Sequence, residues 1–312
     1  MKTFAFVFPG QGSQSVGMLD AAGEHPAVRQ TLQEASDVLH QDMAKLIAQG
    51  PAESLNLTAN TQPVMLTAGV ALWRLWLDEG GGKPQCMAGH SLGEYTALVA
   101  AGAIDFAEAL PLVCFRAQVM QEAVAAGRGG MAAILGLDDA LVREICTEAS
   151  AQSREVVEAV NFNAPGQVVI AGTKTAVELA CELLKARGAK RALLLPVSAP
   201  FHSSLLKPAA ERLAQYLRQV PVRSPEIPVL HNVDVSTHAQ PQEIRAALAA
   251  QASGAVRWVE TVQALAHTGC TDLVECGPGR VLAGLTRRIV PGLGSHALVD
   301  VASAHTIKEA LA

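Results

Sequence analysis

Ser91 stands in GHSLGEY (89–95), with a glycine two positions away on each side. A serine hydroxyl attacks carbonyl carbon when a base takes its proton and the chain holds it exposed, and a G-x-S-x-G turn from strand to helix supplies that exposure. A tight strand-to-helix turn with no chemistry uses the same spacing, so the pentapeptide leaves both readings open. At a helix N-terminus the free N–H groups and the helix dipole favour a developing oxyanion, and the N–H of Leu92 is the natural first donor.

The serine needs a base. Of nine histidines, His90 adjoins Ser91 but should point away from it. His25, His40, His238, His267, His296 and His305 stand in polar or helix-surface settings that suit solvated side chains. His231 follows the apolar IPVL and could be a strand-end histidine near the site. His202, in SAPFHSS, occupies a loop where a domain junction would set it over a cleft; an ordinary loop histidine beside a helix cap is the competing reading.

Arg116 adds a charge. Leu112, Val113, Val119 and Met120, three and four residues from it, are all apolar, so a helix would carry this guanidinium on its buried stripe. A buried, unpaired guanidinium is too costly to persist. An internal salt bridge from another element is the first expectation, a ligand carboxylate the second. Pro111, five residues upstream, is expected to kink or delay the helix. The early turn PGQGSQ (9–14) follows a strand but spaces its glycines as Gly10-x-Gly12 and then Gly17, which is not a dinucleotide fingerprint. Its backbone, at Gln11 for example, could instead complete an oxyanion hole.

Alternating strands and helices must position these residues. FAFVF (4–8) is an apolar run suited to a strand buried on both faces. Helices are expected over 26–49 and 62–80, a strand over 85–89, and a small-residue helix opening at Ser91. From about residue 129 the order becomes β-α-β-β-α-β, the ferredoxin-like pattern, bounded by Gly127–Gly130 and Pro196–Pro200. Residues 1–127 and 198–312 then form one α/β domain with a mainly parallel sheet, interrupted by an insert over 128–197. Downstream, helices are expected over 203–219, 241–252, 258–268 and 280–290, with strands over 227–233 and 271–277.

Composition sets the frame. The chain has 312 residues, half of them hydrophobic and 17% charged, enough to bury a large core. A net charge of −5 and a pI near 6.0 argue against general nucleic-acid binding. Six scattered cysteines without a Cys-x-x-Cys pair indicate neither zinc nor a disulfide framework. The opening MKTFAFVFPGQGSQ is too short in apolar residues for a signal core, and no run approaches a membrane span. A cytoplasmic protein is expected. Basic side chains gather at Lys185, Arg187, Lys190 and Arg191 and again at Arg280, Arg287 and Arg288.

Seven ordered blocks carry a resemblance over essentially the whole length: FVFPGQGSQ (6–14), TQP (61–63), GHSLGEY (89–95), FRAQVMQEA (115–123), NFNAPGQVVIAG (161–172), PVSAPFHS (196–203) and ECGPG (275–279). With these the chain resembles the malonyl-CoA:acyl carrier protein transacylases of bacterial fatty acid synthesis. The resemblance implies a larger α/β hydrolase-like domain with a ferredoxin-like insert. It implies Ser91 as nucleophile, His202 as base, and the N–H groups of Gln11 and Leu92 as oxyanion hole. Arg116 would bind the malonyl carboxylate, Gln62 and Asn161 would line the acyl pocket, and the backbone carbonyl near Gln251 would orient the histidine. The segment QASGAVRW carries Ala255 where a proline is common in the family. No resident cofactor is implied, since coenzyme A and phosphopantetheine arrive as parts of substrates. The expected partners are malonyl-CoA and an acidic acyl carrier protein, steered by one of the basic clusters, with the enzyme a monomer. The competing classes are a serine hydrolase, a malonyl transferase serving another carrier, and a non-catalytic carrier-binding module.

Overall fold

A computed structural model describes residues 2–125, 127–197 and 199–312. Five strands build one sheet: β1 (Phe4–Phe8), β2 (Cys86–Gly89), and, after the insert, β7 (Val229–Leu230), β8 (Asp272–Cys276) and β9 (Gly294–Leu298). Their order is β7-β2-β1-β8-β9, every neighbouring pair parallel. β1 is central and fully buried. Its alternating residues enter two different cores: Phe4, Phe6 and Phe8 join one, while Ala5 and Val7 join the other with Trp258, Leu265 and Leu282. The Phe6 ring lies 5.3 and 5.4 Å from the rings of Trp73 and Trp76, on the helix Thr58–Asp78. An apolar run without alternation therefore became a strand covered on both sides.

The second sheet is antiparallel, built from β3 (Gly129–Leu135), β4 (Val157–Ala164), β5 (Gln167–Thr173) and β6 (Arg191–Leu194) in the order β4-β5-β3-β6. This is the ferredoxin-like strand order. The helices Asp139–Ser153 and Lys174–Ala186 lay Val142, Ile145, Val177 and Leu184 into the core beneath it. All four strands fall within 128–197; residue 198, where the large domain is expected to resume, lies outside the described residues. The outer segment also reaches this sheet, because Val256 N–H donates to the carbonyl of Val160 (2.8 Å) and its carbonyl accepts from Phe162 N–H (3.0 Å).

Several expectations need correction. The helix over 26–49 is two helices, Pro26–Leu39 and Met43–Gln49. His40 closes the first in the left-handed conformation (φ 51°), and Asp42 opens the second by accepting from Lys45 N–H at 2.8 Å. Pro111 does not delay its helix, which runs from Phe106 to Glu122 and starts five residues ahead of the proline. The strand over 227–233 contracts to the two residues of β7. β9 and the helix Val301–Leu311 were not anticipated.

Candidate active site

Ser91 lies two residues past the end of β2, and the loop carrying Gln11 follows β1, so both stand beyond the carboxyl ends of adjacent parallel strands. Ser91 itself takes φ 52°, a left-handed conformation that a non-glycine residue holds only when its surroundings impose it. The flanking glycines impose it here. A Cβ on Gly89 would lie 1.9 Å from the carbonyl carbon of Gly93, and one on Gly93 would lie 2.0 Å from the carbonyl oxygen of Phe8. The helix Gly93–Ala100 thus starts pressed against both strands, and only hydrogen fits at either contact. Gly93→Ala should cost about 2–3 kcal/mol, whereas Gly284→Ala, in a helix with nothing within 4 Å of the new methyl, should not destabilise. Denaturant midpoints of the two variants check this; equal midpoints would contradict it.

The hydroxyl so raised meets an imidazole and a guanidinium. Ser91 Oγ is 2.7 Å from His202 Nε2 and 3.1 Å from Arg116 Nη2. His202 Nδ1 lies 2.9 Å from the backbone carbonyl of Gln251; a carbonyl only accepts, so Nδ1 carries the proton and Nε2 presents its lone pair to the serine. Burial, followed by the nearby Arg116 charge, depresses the His202 pKa to about 3, against the pull of the Gln251 carbonyl. The imidazole is neutral at neutral pH, ready to accept a proton.

Arg116 is buried, as its apolar neighbours foretold, but among the described residues the expected internal salt bridge is absent. Nη1 donates to Gln62 Oε1 and Nη2 to Gln251 Oε1, each at 2.9 Å, and the guanidinium carbon lies 5.2 Å from the centre of the Tyr95 ring. Among the described residues no carboxylate pairs with it directly. Burial lowers its pKa from the ordinary value while Tyr95 and Glu94 oppose the shift. Two neutral amide oxygens hold the cation in place without cancelling its charge.

A cleft of about 460 Å³ joins these groups, its wall including Gln11, Gln62, Leu92, Met120, Asn161 and Phe201. The N–H groups of Gln11 and Leu92 make no hydrogen bond to a described residue. The loop bearing Gln11 touches the serine turn, since a Cβ on Gly10 would come within 2.5 Å of the His90 carbonyl oxygen. Asn161 Oδ1 is buried with no hydrogen-bond partner among the described residues. Of the residues singled out for the site, Ser91, His202, Arg116, Gln11, Leu92, Gln62 and Asn161 line this cleft, and Gln251 joins it through His202 and Arg116. His90 turns away, its Nε2 2.8 Å from Asn163 Oδ1.

Two residues, Asn232 and Glu94, escaped the sequence reading. Asn232 accepts from Ser91 N–H at 2.7 Å and donates to the Gly89 carbonyl at 2.7 Å, gripping both sides of the turn. Glu94 is fully buried, 2.7 Å from His231 Nδ1, and accepts from Asn232 N–H and Gln251 Nε2, each at 2.9 Å. His231 is thus near the site but faces Glu94. Burial disfavours its charge, yet the adjacent carboxylate prevails and raises its pKa. The available signal was the run HN at the end of IPVL, polar residues placed where a strand meets the core. Of the basic clusters, Arg187 pairs with Glu148 at 3.2 Å, and Arg288 binds Gln167 and the Pro165 carbonyl.

A parallel-sheet serine turn, a neutral histidine and a buried cation at one cleft define an enzyme of acyl transfer. Residues 5–301 match the acyl transferase domain family, and the chain belongs to it. Among curated relatives, the malonyl CoA-acyl carrier protein transacylase of Escherichia coli K12 is 55% identical over 299 residues, 96% of each chain. The solved acyl-carrier-protein S-malonyltransferase of Burkholderia pseudomallei 1710b is 63% identical with a TM-score of 0.97, covering 98% of this chain and 99% of that one. A malonyl-transacylase solved in complex with a type II PKS acyl-carrier protein is 52% identical, with a TM-score of 0.96 and 99% of both chains covered.

Proposed function

We propose that the protein transfers the malonyl group of malonyl-CoA to the phosphopantetheine thiol of acyl carrier protein through a malonyl ester on Ser91, supplying fatty acid synthesis. The observation that carries this is the convergence on one oxygen: Ser91 Oγ is within hydrogen-bond distance of both His202 Nε2 and Arg116 Nη2. In a malonyl ester the free carboxylate carbon sits three bonds from Oγ, a reach of about 3–4 Å by standard bond lengths. A guanidinium already at Oγ is placed to bind it.

In the first half-reaction Ser91 Oγ attacks the thioester carbon as His202 Nε2 takes the hydroxyl proton. The N–H groups of Gln11 and Leu92 hold the tetrahedral oxyanion. Collapse breaks the C–S bond, and the thiol of coenzyme A leaves with the proton from His202. In the second, the carrier thiol gives its proton to His202 and its sulfur attacks the ester carbon. Collapse then breaks the C–Oγ bond and returns the proton to Ser91. Nucleophile, base, oxyanion donors and carboxylate ligand all come from the chain, so the chemistry asks for no resident cofactor. Asn161, on the cleft wall and with its Oδ1 unpaired among the described residues, lines the acyl pocket. We further take the enzyme to act as a monomer in the cytoplasm; among the described residues no helix is long and apolar enough to cross a membrane.

Water and the carrier thiol compete for the same ester. Incubation with malonyl-CoA and phosphopantetheine-bearing carrier should yield malonyl-carrier; free malonate in its place would mark a hydrolase. The pH dependence follows from His202. Because its folded pKa is depressed, the base stays unprotonated as pH falls through the ordinary imidazole range near 6.5. Single-turnover acylation of Ser91 should therefore hold its rate from neutral pH to below about pH 5. An acid limb centred between about pH 6 and 7 would contradict a neutral, buried base.

A further inference from the structure

We propose that Glu94 is the positioning residue of this site, setting Arg116 through the side-chain amide of Gln251 and setting Ser91 through Asn232. The inference rests on the malonyl-transfer reading above. Glu94 is three residues beyond the nucleophile, at the start of the helix Gly93–Ala100, and none of its surface reaches solvent. Burying a carboxylate there is expensive unless every oxygen is used. Both are: Oε1 faces His231 Nδ1 at 2.7 Å, and Oε2 accepts from Asn232 N–H and Gln251 Nε2 at 2.9 Å each.

The Gln251 amide is the link. Its Nε2 donates to Glu94 and to the Ser91 carbonyl (3.0 Å), while its Oε1 accepts from Arg116 Nη2 (2.9 Å). A side-chain amide can turn over and exchange its donor and acceptor ends at little cost. With Glu94 in place the turned form would set Oε1 against a carboxylate and an N–H group against a guanidinium. Glu94 therefore fixes the amide with its oxygen toward Arg116. The carboxylate polarises the amide and the amide holds the cation, a chain that compensates the buried charge without contact. A carboxylate bonded directly to Arg116 would occupy the donors that an incoming malonyl group needs. Set one amide away, it balances the cation and leaves the cleft side of the guanidinium free for the substrate. On its other side Glu94 anchors Asn232, whose side chain grips the Ser91 N–H and the Gly89 carbonyl around the left-handed turn.

A carboxylate that only stabilised the fold would affect every acyl substrate equally when lost. A carboxylate that sets Arg116 affects malonyl more than acetyl. The test is single-turnover acylation of Ser91 by malonyl-CoA and by acetyl-CoA in Glu94→Gln, with folding read from the melting transition. Loss of a charge-assisted hydrogen bond supports an expected fall of about 100-fold for malonyl and about tenfold for acetyl, so the malonyl-to-acetyl ratio drops about tenfold. A ratio unchanged within about twofold overturns the proposal. If Glu94→Gln fails to fold, Gln251→Leu decides, because it removes the amide but keeps the backbone carbonyl that orients His202. The same fall in ratio supports the proposal, and an unchanged ratio overturns it. Failure of the parent protein to form malonyl-Ser91 would defeat the malonyl-transfer reading itself; normal parent acylation with an unmoved ratio defeats the role of Glu94 alone.

Discussion

Arg116→Ala should lower kcat/KM for malonyl-CoA by about 10²–10³-fold while leaving acetyl-CoA transfer within about tenfold of the parent. The asymmetry comes from where the charge sits. The guanidinium is buried on a stripe of Leu112, Val113, Val119 and Met120 and is held by two amide oxygens rather than by an acid. A malonyl carboxylate would supply the missing negative charge through two parallel hydrogen bonds, and an acetyl group would supply nothing. Alanine removes that distinction. It also removes the 3.1 Å contact to Ser91 Oγ and one of the forces depressing the His202 pKa, so acetyl transfer is not expected to be untouched. Parallel kinetics with the two thioesters check the claim, and a variant that still prefers malonyl-CoA would refute the carboxylate role.

Ser91→Ala should lose turnover by at least about 10⁴-fold and form no acyl-enzyme. The turn should survive the change, because Gly89, Gly93 and the Asn232 bridge set the backbone and none of them depends on the hydroxyl. The variant can therefore be compared with the parent as a folded protein. After exposure to labelled malonyl-CoA and acid quench, the parent should retain label and the variant none. Retained label in the variant would place the nucleophile elsewhere.

The parts of this protein that were legible in its sequence are those set by local pattern. FAFVF suited a strand covered twice, and the glycines around Ser91 suited a sharp turn from strand to helix. The β-α-β-β-α-β order of 129–197 was readable because each element has its own apolar period. Arg116 was found by the same logic, as a cation at helical spacing from four apolar residues. Its partner was not, since nothing in a helix repeat reveals that Gln62 and Gln251, 54 and 135 residues away, would supply amide oxygens instead of a salt bridge.

Glu94 and Asn232 show the same limit. Glu94 lies within the serine motif, but its contacts with His231 and Asn232 span 137 and 138 positions, and no periodicity encodes them. Gln251 was expected to act through its backbone; its side chain, which ties Ser91, Glu94 and Arg116 together, became visible only in three dimensions. The break at His40 was hidden for another reason. The apolar spacing continues across it, and the left-handed cap depends on one residue's dihedral angle.

Peptide mapping by mass spectrometry of the parent protein, quenched in acid after brief exposure to malonyl-CoA without carrier, examines the proposed chemistry at its source. A malonyl ester on Ser91, discharged when phosphopantetheine-bearing carrier is added before the quench, is the expected result. Carrier that becomes malonylated while Ser91 stays unmodified, or an ester found on any other side chain, would contradict it.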